Sequence, residues 1–350
     1  MPPFSRKIVF AACTAVAIGL VCETGLRMAG IVSSHSVYTA DHKTFESQPG
    51  IWEPDQKHVS IEVPSLPFTV KTNSAGYRGE NFDIEKSPNE FRVLMVGDSF
   101  TFGNNVNETE TLPYRLQREL SQSCKDQNFL SINAGIPGST IRGQAEMIRR
   151  GMQLKPDTVI LVFTETDIID LANPLWDQYS ENRIAKARFP VSLLWPLIRD
   201  TSTWALLSKF RNKLLSRQRL DTEQSVMESA DHTELRAVYM SELRKITAEL
   251  TSDGVRFMVV TFPGNFTVRE QPYDDTTPWA MRAFADLGIP TVELLWPLQK
   301  AFKDDVDSAY LLPVDSHPSR LGYQVAASAI AQQMLVDPRL KENCRTGLVD

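Results

Sequence analysis

The stretch Phe91-Arg92-Val93-Leu94-Met95-Val96-Gly97-Asp98-Ser99-Phe100-Thr101-Phe102-Gly103 decides how this chain is read. Phe91 to Val96 is a short apolar strand, and Gly97-Asp98-Ser99 turns the chain directly after it. A serine at such a turn stands at the end of a strand, with its backbone N–H placed to meet an anion. Alone the motif proves little, because Gly-Asp-Ser is also plain turn chemistry.

Outward from this point the pattern is strand, loop, helix, repeated. Leu112 to Leu120 carries a helical pattern, Phe129 to Ile132 a second strand, and Ile141 to Gly151 a second helix. Thr158 to Phe163 is almost wholly apolar, as a strand covered on both faces should be. A helix over Glu234 to Leu250 ends at Gly254, followed by strands at Arg256 to Phe262 and Thr291 to Leu295. A last helix runs from Ser319 to Leu335. Strands alternating with helices predict a parallel sheet with helices on both faces, reactive groups gathering at the carboxyl ends of its strands.

Two further elements carry chemistry. Asn133-Ala134-Gly135-Ile136-Pro137-Gly138 follows the second strand, and the N–H of Gly138 could meet a developing oxyanion. Asp315-Ser316-His317-Pro318 precedes the last helix. Serine needs a base to take its proton, histidine suits that task, and a carboxylate must hold the imidazole in the useful tautomer. His35, His42 and His58 lie in the polar N-terminal region and His232 at a helix entrance, so His317 alone has this company.

In this order, Gly97 to Gly103, Glu110-Thr111-Leu112-Pro113, Asn133 to Gly138 and the Asp315/His317 block resemble the SGNH/GDSL hydrolase superfamily. Asn73-Ser74-Ala75-Gly76-Tyr77-Arg78-Gly79 resembles an element of its bacterial, membrane-anchored members. The resemblance implies a flavodoxin-like three-layer α/β/α fold and a triad of Ser99, His317 and Asp315. It also implies an oxyanion hole from the N–H groups of Ser99 and Gly138, with no metal or organic cofactor. The third block departs from the family. It reads Thr164-Glu165-Thr166-Asp167, with Thr166 where an asparagine normally completes the oxyanion hole. The expected activity is ester hydrolysis on an acylated glycan, lipid or small ester. An O-acyltransferase on an exported polysaccharide and a non-catalytic glycan-binding protein are the alternatives.

Domain organisation follows the same pattern. Residues 31–90 read as a polar, proline-punctuated stalk and preamble with short strands at Ser60 to Val63 and Phe68 to Lys71, and residues 91–340 as the catalytic domain. An insertion at 171–231 holds Trp176, Trp195, Trp204 and a basic cluster from Lys209 to Arg219. Trp204, Leu207, Phe210, Leu214 and Leu215 fall near helical spacing, which suits a packed helical insertion, a lid or a membrane-lying helix. Its position after the third block makes it the expected determinant of substrate choice.

In residues 1–30, Arg6 and Lys7 precede an apolar run from Ile8 to Cys22. That order favours an uncleaved membrane anchor over a cleaved signal, with the remaining chain outside the cytoplasm. A net charge of -6 argues against nucleic-acid binding. Cys13 and Cys22 lie in the apolar run, and Cys124 and Cys344 read as two unpaired buried thiols rather than a disulfide. Oligomeric state has no signature in the sequence.

Overall fold

The computed structural model describes residues 3–29, 40, 42–60, 65–172, 190–199, 201–208, 210–211, 232–270, 275–337, 340 and 344. Most of the 171–231 insertion, including Trp176 and the basic residues Lys213, Arg217 and Arg219, lies outside them, as do His35 and positions 61–63 of the strand expected at Ser60 to Val63.

Two short strands, β1 (Lys57–Ser60) and β2 (Phe68–Lys71), pair antiparallel. The main sheet contains β3 (Glu90–Gly97), β4 (Asn128–Gly135), β5 (Thr158–Phe163), β6 (Arg256–Thr261) and β7 (Thr291–Glu293). Its order is β4-β3-β5-β6-β7, every pair parallel. The chain leaves β3 toward one edge, then crosses back to place β5 on its other side. In parallel sheets, ligands bind at such a reversal, outside the carboxyl ends of the two strands that flank it, here β3 and β5.

Side chains alternate across the sheet, so each strand serves two cores. Leu94 and Val96 join Ile141, Ile148, Tyr239, Leu243, Ile246, Ala280 and Phe284 on one face. Those residues come from helices Ile141–Gly151, Thr233–Ser252 and Thr276–Asp286. Val93 and Met95 join Leu112, Leu116, Leu298, Tyr323 and Ile330 on the other, from helices Leu112–Ser123, Leu295–Ala301 and Arg320–Leu335. Leu112, Leu116 and Leu120 recur every four residues, which lays them in one stripe, and all three are fully buried. Gly254 ends the Thr233–Ser252 helix at φ 68°, a backbone conformation that suits glycine.

The preamble adds to the first of these cores. Ala40, Phe45, Ile51, Trp52, Phe68, Val70, Ala75 and Tyr77 are buried within it. Arg150 of the Ile141–Gly151 helix donates to the carbonyls of Phe45, Gln48, Pro49 and Gly50 and stacks over the Phe45 ring. The polar composition of this segment hides apolar residues spaced singly among turns.

Two expectations are overturned. Residues Pro3–Met28 form a helix, but no helix among the described residues is long and apolar enough to cross a membrane. Arg6 and Lys7 at one end and Glu23 and Arg27 at the other leave an apolar run shorter than the roughly 20 residues a span needs. Glu23 accepts N–H bonds from Ser202 and Thr203, which with Arg27 lower its carboxyl to about 2. The membrane anchor, the membrane as a partner and the placement outside the cytoplasm that rested on them are therefore withdrawn. The second correction concerns Cys124 and Cys344, which form a disulfide with Cα atoms 4.9 Å apart. The Leu112–Ser123 helix ends at Cys124, and residues 340 and 344 return to its side of the sheet, a proximity invisible across 220 residues of sequence.

Closing a loop of that length restricts the unfolded chain. Cys344→Ser is expected to lower unfolding stability by about 2–4 kcal/mol in urea titrations. Reductant should lower the parent protein by a similar amount and leave the variant unchanged. A parent protein indifferent to reductant would contradict the pairing.

Candidate active site

Ser99 opens a single helical turn, Ser99–Phe102, directly beyond β3. Asp98 caps it by accepting the Phe100 N–H at 2.8 Å, and Gly103 closes it at φ 89° with its N–H on the Ser99 carbonyl. The turn lies almost on top of β4. A Cβ on Gly135 would sit 2.2 Å from the Phe102 nitrogen, and one on Gly97 would sit 2.2 Å from Thr101 Oγ1. Both glycines are therefore required by close approach.

Beneath this turn is Arg78, fully buried, a residue noted in the sequence only as part of a resemblance. Its guanidinium donates to the carbonyls of Phe102 (2.8 Å), Gly103 (2.7 Å) and Val106 (2.8 Å) and pairs with Glu108 at 3.2 Å. It also lies 4.7 Å from the centroid of the Phe102 ring. One preamble side chain thus holds the whole loop after Ser99. Only the depth of its burial distinguishes it from a surface arginine, and a single sequence does not show depth.

His317 arrives from the other end of the chain. Ser319 caps the Arg320–Leu335 helix by accepting the N–H groups of Leu321 and Gly322. The His317 carbonyl accepts the N–H of Leu311, which fixes the loop in front of it. Asp315 Oδ1 takes both the backbone N–H of His317 (2.8 Å) and its Nδ1 (2.6 Å). A spacing of two residues lets one carboxylate oxygen serve both, as in an Asx turn. On the opposite side of the ring, Nε2 lies 2.8 Å from Ser99 Oγ. With Asp315 accepting from Nδ1–H, Nε2 is left as an acceptor facing the serine hydroxyl. Phe100 packs 5.5 Å from the imidazole centroid and is held by Tyr323, whose hydroxyl donates to the Phe100 carbonyl. Burial disfavours the charge on Asp315, but the hydrogen bonds and charge of His317, with a bond from Asn105, prevail and hold its carboxyl below the ordinary value. Asn105 stands at φ 61°, tolerable for asparagine, and is a second residue the sequence did not single out.

The remaining expected residues come from two neighbouring loops. Gly138 adopts φ 70° in the loop after β4, and that loop is tied to β3 because the Ile136 N–H and the Ser139 hydroxyl both donate to the Gly97 carbonyl. Thr166 is exposed in the short turn after β5, its hydroxyl 3.2 Å from that of Thr164. Thr164 in turn lies 3.2 Å from Asp98 Oδ2. Asp98 and Asp167 are both buried behind the turn, and burial raises both carboxyls, Asp167 well above the ordinary value with Asp98 facing it. Among the described residues no cluster of three or more histidine, cysteine or acidic side chains is placed to hold a metal ion.

No protein-family model matches the chain, and no curated protein matches it. Among solved structures it is similar to a lipase/acylhydrolase from Enterococcus faecalis, at 16% identity over 70% of this chain and 95% of that one, with a TM-score of 0.41. It is also similar to a catalytic mutant of an acetylxylan esterase from Geobacillus stearothermophilus, at 14% identity over 73% and 98% of the two chains, TM-score 0.43. A two-domain esterase active on acetylated mannans gives 14% identity over 75% and 51%, TM-score 0.43. Likenesses this distant assign no activity to the chain.

Removing Arg78 strands Glu108 and three carbonyls in the interior. Arg78→Leu is expected to cost about 3–5 kcal/mol in chemical denaturation. A loss below about 1 kcal/mol would show that the loop after Ser99 holds itself.

Proposed function

We propose that this protein is a serine-dependent ester hydrolase. The observation that carries the reading is the continuous chain Asp315 Oδ1–His317 Nδ1 (2.6 Å) and His317 Nε2–Ser99 Oγ (2.8 Å) at the carboxyl end of a parallel sheet. In this reading Ser99 Oγ attacks the ester carbonyl while His317 Nε2 takes its proton. Asp315 holds the ring in the tautomer that leaves Nε2 unprotonated and stabilises the imidazolium that forms. His317 returns the proton to the departing alcohol, leaving an acyl group on Ser99. Water, deprotonated by His317, then releases the acid and restores the hydroxyl. The N–H groups of Ser99 and Gly138 and the hydroxyl of Thr166 are the proposed donors to the tetrahedral oxyanion.

An acylated glycan or lipid is the proposed substrate class. The intact Ser99–His317–Asp315 chain supports catalysis over a binding role, because a protein that merely binds has no use for a serine hydroxyl aimed at an oriented imidazole.

Hydrolysis of p-nitrophenyl acetate and longer nitrophenyl esters tests the reading. Ser99→Ala should abolish turnover, and Asp315→Asn, which imposes the wrong tautomer, should lower kcat by about 10⁴-fold with the fold intact by circular dichroism. Equal turnover by the parent protein and Ser99→Ala would defeat it.

A further inference from the structure

The hydroxyls of Thr164 and Thr166 and the carboxyl of Asp98 form a line of three, each 3.2 Å from the next. Asp98 is buried at its inner end and Thr166 exposed at its outer end, beside the turn that carries Ser99. A hydroxyl has one proton to donate. While Asp98 is a carboxylate it can only accept, so Thr164 must donate to it. Thr164 then has no proton for Thr166, and Thr166 must spend its own on Thr164. While that bond is kept, the outermost hydroxyl offers an incoming oxyanion only lone pairs.

A proton on Asp98 reverses every bond. Asp98 donates to Thr164, Thr164 donates to Thr166, and the Thr166 proton is released to point outward. Apart from the O–H bond made on Asp98 with a proton from solvent, no covalent bond changes; two hydroxyl protons rotate. The other oxygen of Asp98, Oδ1, accepts the Phe100 N–H in either state, so the reversal leaves the cap on the Ser99 turn in place.

We propose that Asp98 is a positioning residue that acts through Thr164 on Thr166, making the Thr166 hydroxyl an oxyanion donor when Asp98 is protonated and an acceptor when it is ionised. The proposal rests on the hydrolase reading and explains how a threonine serves where an asparagine would donate outright. Burial favours the protonated form of Asp98, so that form persists above the ordinary carboxylate range. The groups facing Asp98 divide. Asp167, in the turn after β5, opposes its ionisation, as does Tyr323 once that phenol is ionised, while a protonated His317 favours it. Asp167 is itself faced by Asp170, Tyr239 and the amide of Gln144, which donates to it at 3.2 Å. Because the active form is the protonated one, activity is lost as pH rises through the pKa of Asp98.

The experiment is the pH dependence of kcat for nitrophenyl acetate in the parent protein, Asp98→Asn, Thr164→Val, Thr164→Ser and Thr166→Asn. Asp98→Asn keeps an acceptor for the Phe100 N–H and gives Thr164 a permanent donor. It should therefore remove the alkaline fall and exceed the parent above it by about 10²-fold. Thr164→Val leaves Thr166 with no hydroxyl to donate to and cuts it off from Asp98, so it should remove the alkaline fall with KM unchanged, and Thr164→Ser should bring the fall back. In a Thr166→Asn background, whose amide brings its own N–H, Thr164→Val should leave the pH profile unchanged. An Asp98→Asn profile superimposable on the parent, or an alkaline fall that persists in Thr164→Val, would overturn the proposal. Absence of Ser99-dependent turnover would instead strike the hydrolase reading. In that case infrared difference spectra still decide the relay. The expected result is a carboxylic-acid C=O band above the ordinary carboxylate range that is lost in Asp98→Asn while the band of Asp167 remains, and a spectrum unchanged by the substitution overturns it.

Discussion

The site depends on a steric constraint, that nothing larger than hydrogen fits at Gly97 or Gly135. The turn carrying Ser99 crosses the ends of β3 and β4 so closely that a Cβ on either glycine would meet Thr101 or the Phe102 backbone at 2.2 Å. That approach lets the turn lie flat across the sheet edge and brings its first residue within 2.8 Å of His317. It also places Asp98 within reach of Thr164 on the neighbouring strand's loop.

Such a crossing leaves carbonyls facing inward, and the preamble supplies their partner. Arg78 gathers the carbonyls of Phe102, Gly103 and Val106, while Tyr77 beside it donates to the Pro49 carbonyl. The loop after Ser99 is thus fixed from below by a segment that precedes the main sheet in sequence. A buried arginine is costly to desolvate, and the Glu108 carboxylate together with the carbonyl ring offsets that cost. The fixing of the loop after Ser99 and the packing of Arg78 and Tyr77 are two aspects of one arrangement.

Much of this was legible in the sequence, for physical reasons. Parallel strands covered on both faces are nearly continuous apolar runs, so Val93 to Val96 and Thr158 to Phe163 announced themselves. The order of the Gly-Asp-Ser, Asn-to-Gly138 and Asp-x-His blocks along that alternation pointed to the residues that converge. Helices Thr276–Asp286 and Leu295–Ala301 went unassigned from the sequence; each is short and carries a proline, Pro278 or Pro297, in its first turn, where proline is at home. The Cys124–Cys344 bridge and the burial of Arg78 depend on contacts between distant segments, which no local pattern encodes. At the N-terminus the charge-then-apolar order was real, but the apolar run was too short to carry the span inferred from it.

The central claim is that Ser99 is a nucleophile activated by His317. A fluorophosphonate reacts with an activated serine whatever the natural substrate is, and peptide mapping by mass spectrometry locates the adduct. The expected result is a single adduct on Ser99 whose formation slows by orders of magnitude in His317→Ala. No adduct on well-folded protein, or one on Ser99 indifferent to His317, would contradict the account.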